Sequence, residues 1–271
     1  GRDTPFSGSR KHIPISEGIF MEISIAAEKL FMLGTLPVTN ALFIGVLVSV
    51  LLVLITQRAL TRWQSVPRGL QNVSEIVIDG VLGLLESIMQ DRNMARKFFP
   101  LIATIFLFIL LSNWIGLLPG LGTVGLAHEN AAGHATIIPF LRSTSADLNF
   151  TLGLSLFVVI TIQVTGILAL GIGGYAKKFF VSPFHKPYVV GTLMGILELV
   201  SEFAKILSFA FRLFGNVFAG EILLTVMLHL VPYFIPLPFL FLEIFVGFIQ
   251  AAVFAMLVAV FLKMATTPAE H

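Results

Sequence analysis

Residues 187–230 read PYVVGTLMGILELVSEFAKILSFAFRLFGNVFAGEILLTVMLHL, an apolar run with no proline beyond its first position, interrupted by Glu198, Glu202, Lys205, Arg212 and Glu221. At a rise of ~1.5 Å per residue, one helix over this run is more than ~60 Å long, about twice the ~30 Å hydrocarbon thickness of a bilayer. The run must therefore break near Gly191, Gly195, Gly215 or Gly220, or lie strongly tilted through the membrane. Pro232, Pro236 and Pro238 then signal a reversal. A second apolar helix, from residue 239 to about residue 264, runs back.

The rest of the chain puts this hairpin in lipid. Of 271 residues, 56% are hydrophobic and 12% charged, against the ~25% charge of a water-soluble domain. Residues 36–56, 98–118 and 150–172 each match the roughly 20 residues needed to cross a bilayer and hold almost no ionised side chain. Backbone at that depth must satisfy its own hydrogen bonds, and the alternation of a barrel is missing, so the sequence predicts an all-α, polytopic membrane protein. Between the first two spans, Val73, Ile76, Val77, Val81, Leu84 and Leu85 recur at helical spacing, with Glu75, Asp79 and Glu86 elsewhere. This predicts an amphipathic helix over 73–89, resting along the membrane interface or packed on a partner; the pattern fits both.

Charge placement orients the chain. Arg58, Arg62, Arg68, Arg92, Arg96 and Lys97 crowd the segment 57–97, and Lys177, Lys178 and Lys186 follow the third span, whereas the connection 119–149 holds only Arg142. The positive-inside bias puts the basic segments on the cytoplasmic face, the N-terminus and the 119–149 connection outside, and the C-terminal tail with Lys263 inside. Residues 1–35, mixed in polarity, are expected to form an outer-side segment, and they lack the pattern of a signal peptide. Residues 36–175 form the N-terminal helices and 187–266 the C-terminal hairpin. A formal charge of +2 points to no nucleic-acid partner, and the absence of cysteine excludes disulfides, a thiol nucleophile and iron–sulfur ligation by this chain. His128, Glu129 and His134 are irregularly spaced in a Gly- and Ala-rich stretch and read better as a polar loop than as a metal site.

Ionisable groups in a span each cost several kcal/mol and normally face protein or a water-filled cavity. At ~100° per residue, Ser208 and Asn216 lie about 40° either side of Arg212, Lys205 about 20° away and Glu198 about 40° away, so they share one polar stripe. Glu221, nine residues beyond Arg212, falls on the opposite side, and Glu243 and Gln250 are nearly aligned on the returning helix. Two offset aqueous vestibules separated by a fixed cation fit this pattern. Arginine stays protonated and blocks direct passage, while carboxylates take up and release protons. A proton would enter past Glu221 and Glu243, pass to a partner's acid, and leave past Ser208 and Glu198. The plainer reading makes Glu198, Glu202 and Lys205 a structural ion-pair cluster at the inner interface.

The run RLFGNVFAGE at 212–221 closely resembles the signature of subunit a of the F-type ATP synthase. The likeness extends to NWIGLLP at 113–119, SADLN at 145–149, Glu198 fourteen residues before Arg212, and the Gln250-Ala251 helix. The resemblance implies that Arg212 is the essential arginine facing the carboxylates of a rotating c-ring, that Glu221 is the acid of the outer access channel, and that Glu243 interacts with it. It implies further that Gln250 packs close to the arginine, that Ser208 and Glu198 lie toward the exit channel, and that the two long helices form a steeply tilted hairpin around the ring. Asn216 is counted with Arg212, Glu221, Glu243, Gln250, Ser208 and Glu198 among the proton-translocation residues, and Asn113, Asp147, Asn149, Glu202 and Lys205 take supporting places. The implied partners are the c-ring, peripheral-stalk b subunits, the remaining ATP synthase subunits and lipid, in an energy-transducing membrane such as the bacterial inner membrane. The coupling ion, proton or sodium, is left to the ring. No cofactor or metal is implied, and with no phosphate-cradling Gly-rich motif the chain by itself is not expected to hydrolyse ATP. A secondary transporter and a structural scaffold are the rival functions, the former lacking any second copy of the 212–221 pattern.

Overall fold

The computed structural model describes residues 29–33, 36–61, 69–118, 125–129, 135–139, 142–179, 188–231 and 234–267. Strands β1 (Lys29–Leu33) and β2 (Leu36–Thr39) pair antiparallel ahead of helix α1 (Asn40–Thr61). Helices α2 (Leu70–Met89) and α3 (Arg92–Gly116) follow, then the antiparallel pair β3 (Gly125–Glu129) and β4 (Ala135–Pro139). A single 3-10 turn, Thr144–Ala146, leads into α4 (Leu148–Phe179), and α5 (Tyr188–Leu230) and α6 (Pro236–Thr266) complete the chain. Among the described residues, five helical stretches are long and apolar enough to cross a membrane: Asn40–Arg58, Arg92–Gly116, Leu148–Ala176, Gly195–Leu230 and Pro236–Thr266. The chain is an all-α, polytopic membrane protein whose two short hairpins lie outside these spans.

Local chemistry sets the boundaries. The first span starts at Asn40 rather than residue 36, because Leu36–Thr39 pairs with β1 and the Thr39 hydroxyl accepts from the Leu42 amide at 3.2 Å, as a helix N-cap does. Asp91 caps α3, its Oδ1 accepting from the amides of Asn93 and Met94 at 2.7 and 3.4 Å. Gln90, at φ 57°, turns the chain sharply out of α2 just before it. Pro236 sits at the start of α6, where its missing N–H costs nothing. The stretch 119–149, expected to be irregular, contains the β3–β4 hairpin and the buried segment 142–147.

Two features of the long helices matter for the site. α5 remains helical over 43 residues through Gly191, Gly195, Gly215 and Gly220, so of the two sequence-level alternatives the break does not occur. α4 does break: Gly171, at φ 73° and ψ 160°, reverses the chain and returns the ring of Tyr175 to Gly166. A Cβ at Gly166 would lie 2.5 Å from that ring, so only glycine admits it. Tyr175, beyond this turn, is buried in protein.

The core centres on α6, which packs against α2, α3, α4 and α5. Ala251, Ala255 and Ala259, spaced by one turn, form a buried low-relief face that lets neighbouring backbones approach. Around it gather Ile102, Phe106 and Ile109 of α3, Val158 and Ile162 of α4, and Phe209 and Leu213 of α5. Phe209 meets Phe254 and Phe261 at ring-centroid distances of 4.7 and 5.7 Å. Outward positions such as Leu168, Ile172, Leu197 and Phe241 are exposed, the inside-out pattern of a lipid-facing surface. On α2, Leu85 and Met89 are buried in this core, Lys263 Nζ donates to the Ile88 carbonyl at 2.9 Å, and Val73 and Ile76 stay exposed.

Candidate functional site

Because α5 is unbroken, helical periodicity fixes which side chains share a face. Arg212 Nη2 donates to Ser208 Oγ at 3.2 Å, one turn earlier. One turn later, Asn216 Nδ2 donates to Gln250 Oε1 of α6 at 2.6 Å. A half-open cleft of about 220 Å³ between α5 and α6 has Lys205, Ser208 and Arg212 on its polar side and Phe209, Leu257 and Phe261 on its apolar side. Among the described residues no carboxylate pairs with the Arg212 guanidinium. The Gln250 amide nitrogen is likewise buried with no acceptor among them. Arg212 is thus a permanent cation able to receive an anionic oxygen supplied by another molecule, whereas the unsatisfied Gln250 donor is enclosed within the α5–α6 seam.

Beyond Asn216, Glu221 on the opposite side of α5 from Arg212 and Glu243 on α6 occupy two different environments. Glu243 is buried, and its carboxylate nests on Gly220, where a Cβ would overlap all three carboxylate atoms. No cation pairs with it among the described residues. Glu221 instead meets Arg142, whose Nε lies 2.9 Å from Oε1 and 3.1 Å from Oε2, with Nη2 3.0 Å from Oε2. The helical separation of Glu221 from Arg212 expected from the sequence is therefore a real separation of partners.

The 142–147 segment holding Arg142 is irregular, polar and buried, which membrane-embedded backbone permits only inside protein or against a water-filled cavity. It is bolted to α3. The hydroxyls of Ser112 and Thr144 hydrogen-bond, Ser143 Oγ donates to Asn113 Oδ1 at 3.5 Å, and Gly116 leaves room for Ser143. Asn113 Nδ2 and Trp114 Nε1 reach on to the carbonyls of Gly247 and Ile244 in α6, at 3.4 and 3.1 Å. Asp147 caps α4, its Oδ1 accepting from the Asn149 amide at 3.0 Å, while the Asn149 side chain is exposed.

Toward the other end of α5, Lys205 Nζ pairs with Glu202 Oε1 at 2.6 Å and lies 4.9 Å from the Phe261 ring centre. Glu202 also accepts from Gln163 of α4, and Gln163 in turn accepts from the Tyr175 hydroxyl. Glu198 is half-buried and forms no ion pair among the described residues, so the expected trio is a pair plus a separate acid.

The structure thus sets Arg212, Ser208, Asn216 and Gln250 along one side of α5, continues that α5–α6 seam one turn further with Glu243 on Gly220, places Glu221 on the opposite side of α5 from Arg212, and joins Glu202 to Lys205. Arg142, Gly220, Gln163 and Tyr175 were not predicted from the sequence as residues of the site. For Arg142 a signal existed: it is the one Lys or Arg in the 31-residue connection 119–149, which the charge bias of the sequence assigns to the outer side and where that bias would place none. His128 and Glu129 fall on β3 with side chains outside the described set, and His134 lies outside the described residues, as do residues 1–28 with Glu17, Glu22 and Glu28. No cluster of metal-ligating side chains occurs among the described residues.

The sequence model of the family described as ATP synthase A chain matches residues 38–263. ATP synthase subunit a of Campylobacter jejuni is 35% identical over 226 residues, covering 83% of this chain and 88% of that protein. The Campylobacter curvus subunit a is 34% identical over 250 residues, covering 90% of this chain and 100% of that protein. The Helicobacter pylori subunit a is 36% identical over 226 residues, with 81% and 86% covered.

Proposed function

Because the chain belongs to the ATP synthase A chain family, we propose that it is the membrane stator subunit of a rotary ATP synthase, passing protons through two offset aqueous half-channels to and from the carboxylates of a c-ring. The observation that carries this reading is the state of Arg212: a permanent cation on a membrane helix, hydrogen-bonded to Ser208 and left without an anion by its own chain among the described residues. A guanidinium so placed needs a counter-charge from outside, and a ring that presents one acid after another supplies it repeatedly. Arg212 then separates the inner cleft, lined by Lys205 and Ser208, from the outer acids, Glu243 further along the α5–α6 seam and Glu221 on the far side of α5.

The length of α5 supports the same arrangement. Its 43 residues make a rod of about 65 Å, which fits a ~30 Å hydrocarbon layer only when steeply inclined. An inclined α5–α6 hairpin offers a long flank to a cylindrical partner. The charge bias sets the N-terminus outside and the C-terminus inside, and peripheral-stalk b subunits would hold the assembly against the ring's rotation.

The test is Arg212→Ala in assembled complexes in energised membranes. Ion-driven ATP synthesis is expected to disappear with normal subunit content. Synthesis at the wild-type rate would sink the proposal, and would equally favour a scaffold.

A further inference from the structure

We infer that Arg142 is a positioning residue of the outer half-channel, holding the Glu221 carboxylate in one orientation at the channel wall so that the two act as a unit in proton transfer. The inference rests on the stator reading above and adds a residue to it. Three observations carry it. The guanidinium addresses both oxygens of Glu221 through two different nitrogens at 2.9–3.1 Å, the fork-like geometry that fixes direction as well as distance. Arg142 is itself buried: only 8% exposed, it begins a buried segment whose next residues are tied to α3 through Ser143–Asn113 and Thr144–Ser112. The Glu221 side chain keeps 31% of its surface open, so the carboxylate is clamped from one side and accessible from the other.

This arrangement divides the two arginines and the two acids. Arg142 is saturated by its own chain, whereas Arg212, half a helical turn around α5, is not. Glu221 is a held carboxylate, whereas Glu243 on Gly220 has no cation among the described residues. A proton entering the outer vestibule meets an acid whose direction is fixed by Arg142, next to one that is seated by shape alone. A purely structural ion pair would need only to exist; a positioning pair must also keep its charge and geometry for conduction.

The experiment measures passive proton conductance and ATP-driven pumping in inverted membrane vesicles, normalised to assembled complex, for Arg142→Lys, Arg142→Gln, Glu221→Gln and the doubly neutral Arg142→Gln/Glu221→Gln. Arg142→Gln and Glu221→Gln are each expected to slow conductance roughly tenfold, and the double variant no further, the non-additivity of two residues acting through one contact. Arg142→Lys should recover part of the loss. Should Arg142→Gln fail to assemble, the doubly neutral variant decides, since removing both charges leaves no unpaired ion. Wild-type conductance in the assembled double variant, or losses that multiply, would overturn the inference. Arg212→Ala in parallel separates the two claims: normal synthesis there removes the stator reading, whereas its failure alongside a fully conducting Arg142→Gln removes this inference alone.

Discussion

Replacing Gly220 with alanine adds one methyl group at the point where the Glu243 carboxylate rests on α5. The new Cβ would overlap Cδ and both oxygens of that side chain, so the carboxylate must retreat by more than about 1 Å to reach ordinary contact. The obstacle is the far end of a flexible side chain rather than backbone, and a helix-interior Gly→Ala change contributes about 0.5–1 kcal/mol of its own. Stability is therefore expected to stay within about 1 kcal/mol of the parent, and assembly to be normal. Function should not survive so well, because a displacement of ~1 Å of a group that must exchange a proton costs up to ~100-fold in rate. ATP-driven proton uptake by inverted vesicles, normalised to complex content, is expected to fall at least about tenfold in Gly220→Ala. Gly153→Ala on α4, where a Cβ meets nothing within 4 Å, should pump normally. Glu243→Asp, one methylene shorter, should restore part of the activity in the Gly220→Ala background. Wild-type pumping by Gly220→Ala would refute the reasoning, since it would mean that the seat of Glu243 is irrelevant to transport.

Two further outcomes concern the scaffold. Gly171→Ala forces an L-residue to φ 73°, ψ 160°, a region adopted almost only by glycine, and should destabilise the purified subunit by about 1–3 kcal/mol, read as a lower thermal midpoint in detergent; Gly173→Ala, whose Cβ meets nothing within 4 Å, should not. Gly116→Ala sets a Cβ 2.7 Å from Ser143 Cβ and 2.9 Å from its backbone nitrogen, and should cost about 1–3 kcal/mol in the same measurement because the backbone cannot step aside.

What the sequence made legible follows the reach of its periodicities. The Arg212 stripe and the opposition of Glu221 needed only a helical repeat, and α5 kept that repeat without a break through four glycines. Hydropathy located the spans, missing their ends where caps intervene, as at Thr39 and Asp91. The Arg142–Glu221 pair joins residues 79 positions apart on different elements, a distance at which no local pattern operates. The partner of Glu243 escaped for a different reason: a glycine's contribution there is the absence of an atom, which composition does not reveal. At Gly171 the chain turns back far enough to bury Tyr175 beside Gln163, a contact that hydropathy alone does not reveal.

The fastening of α5 to α6 has a mechanical consequence. Asn216 grips Gln250, and Gly220 receives Glu243, one contact per turn on the first helix and seven residues apart on the second. Two such contacts in register oppose both sliding and rolling of α5 against α6, so a sideways thrust at Arg212 would be resisted by both helices together. The load passes through the aromatic wedge of Phe209 and Phe254 into the flat alanine face of α6 and on to α3. Whatever presses on that guanidinium pushes against the whole bundle.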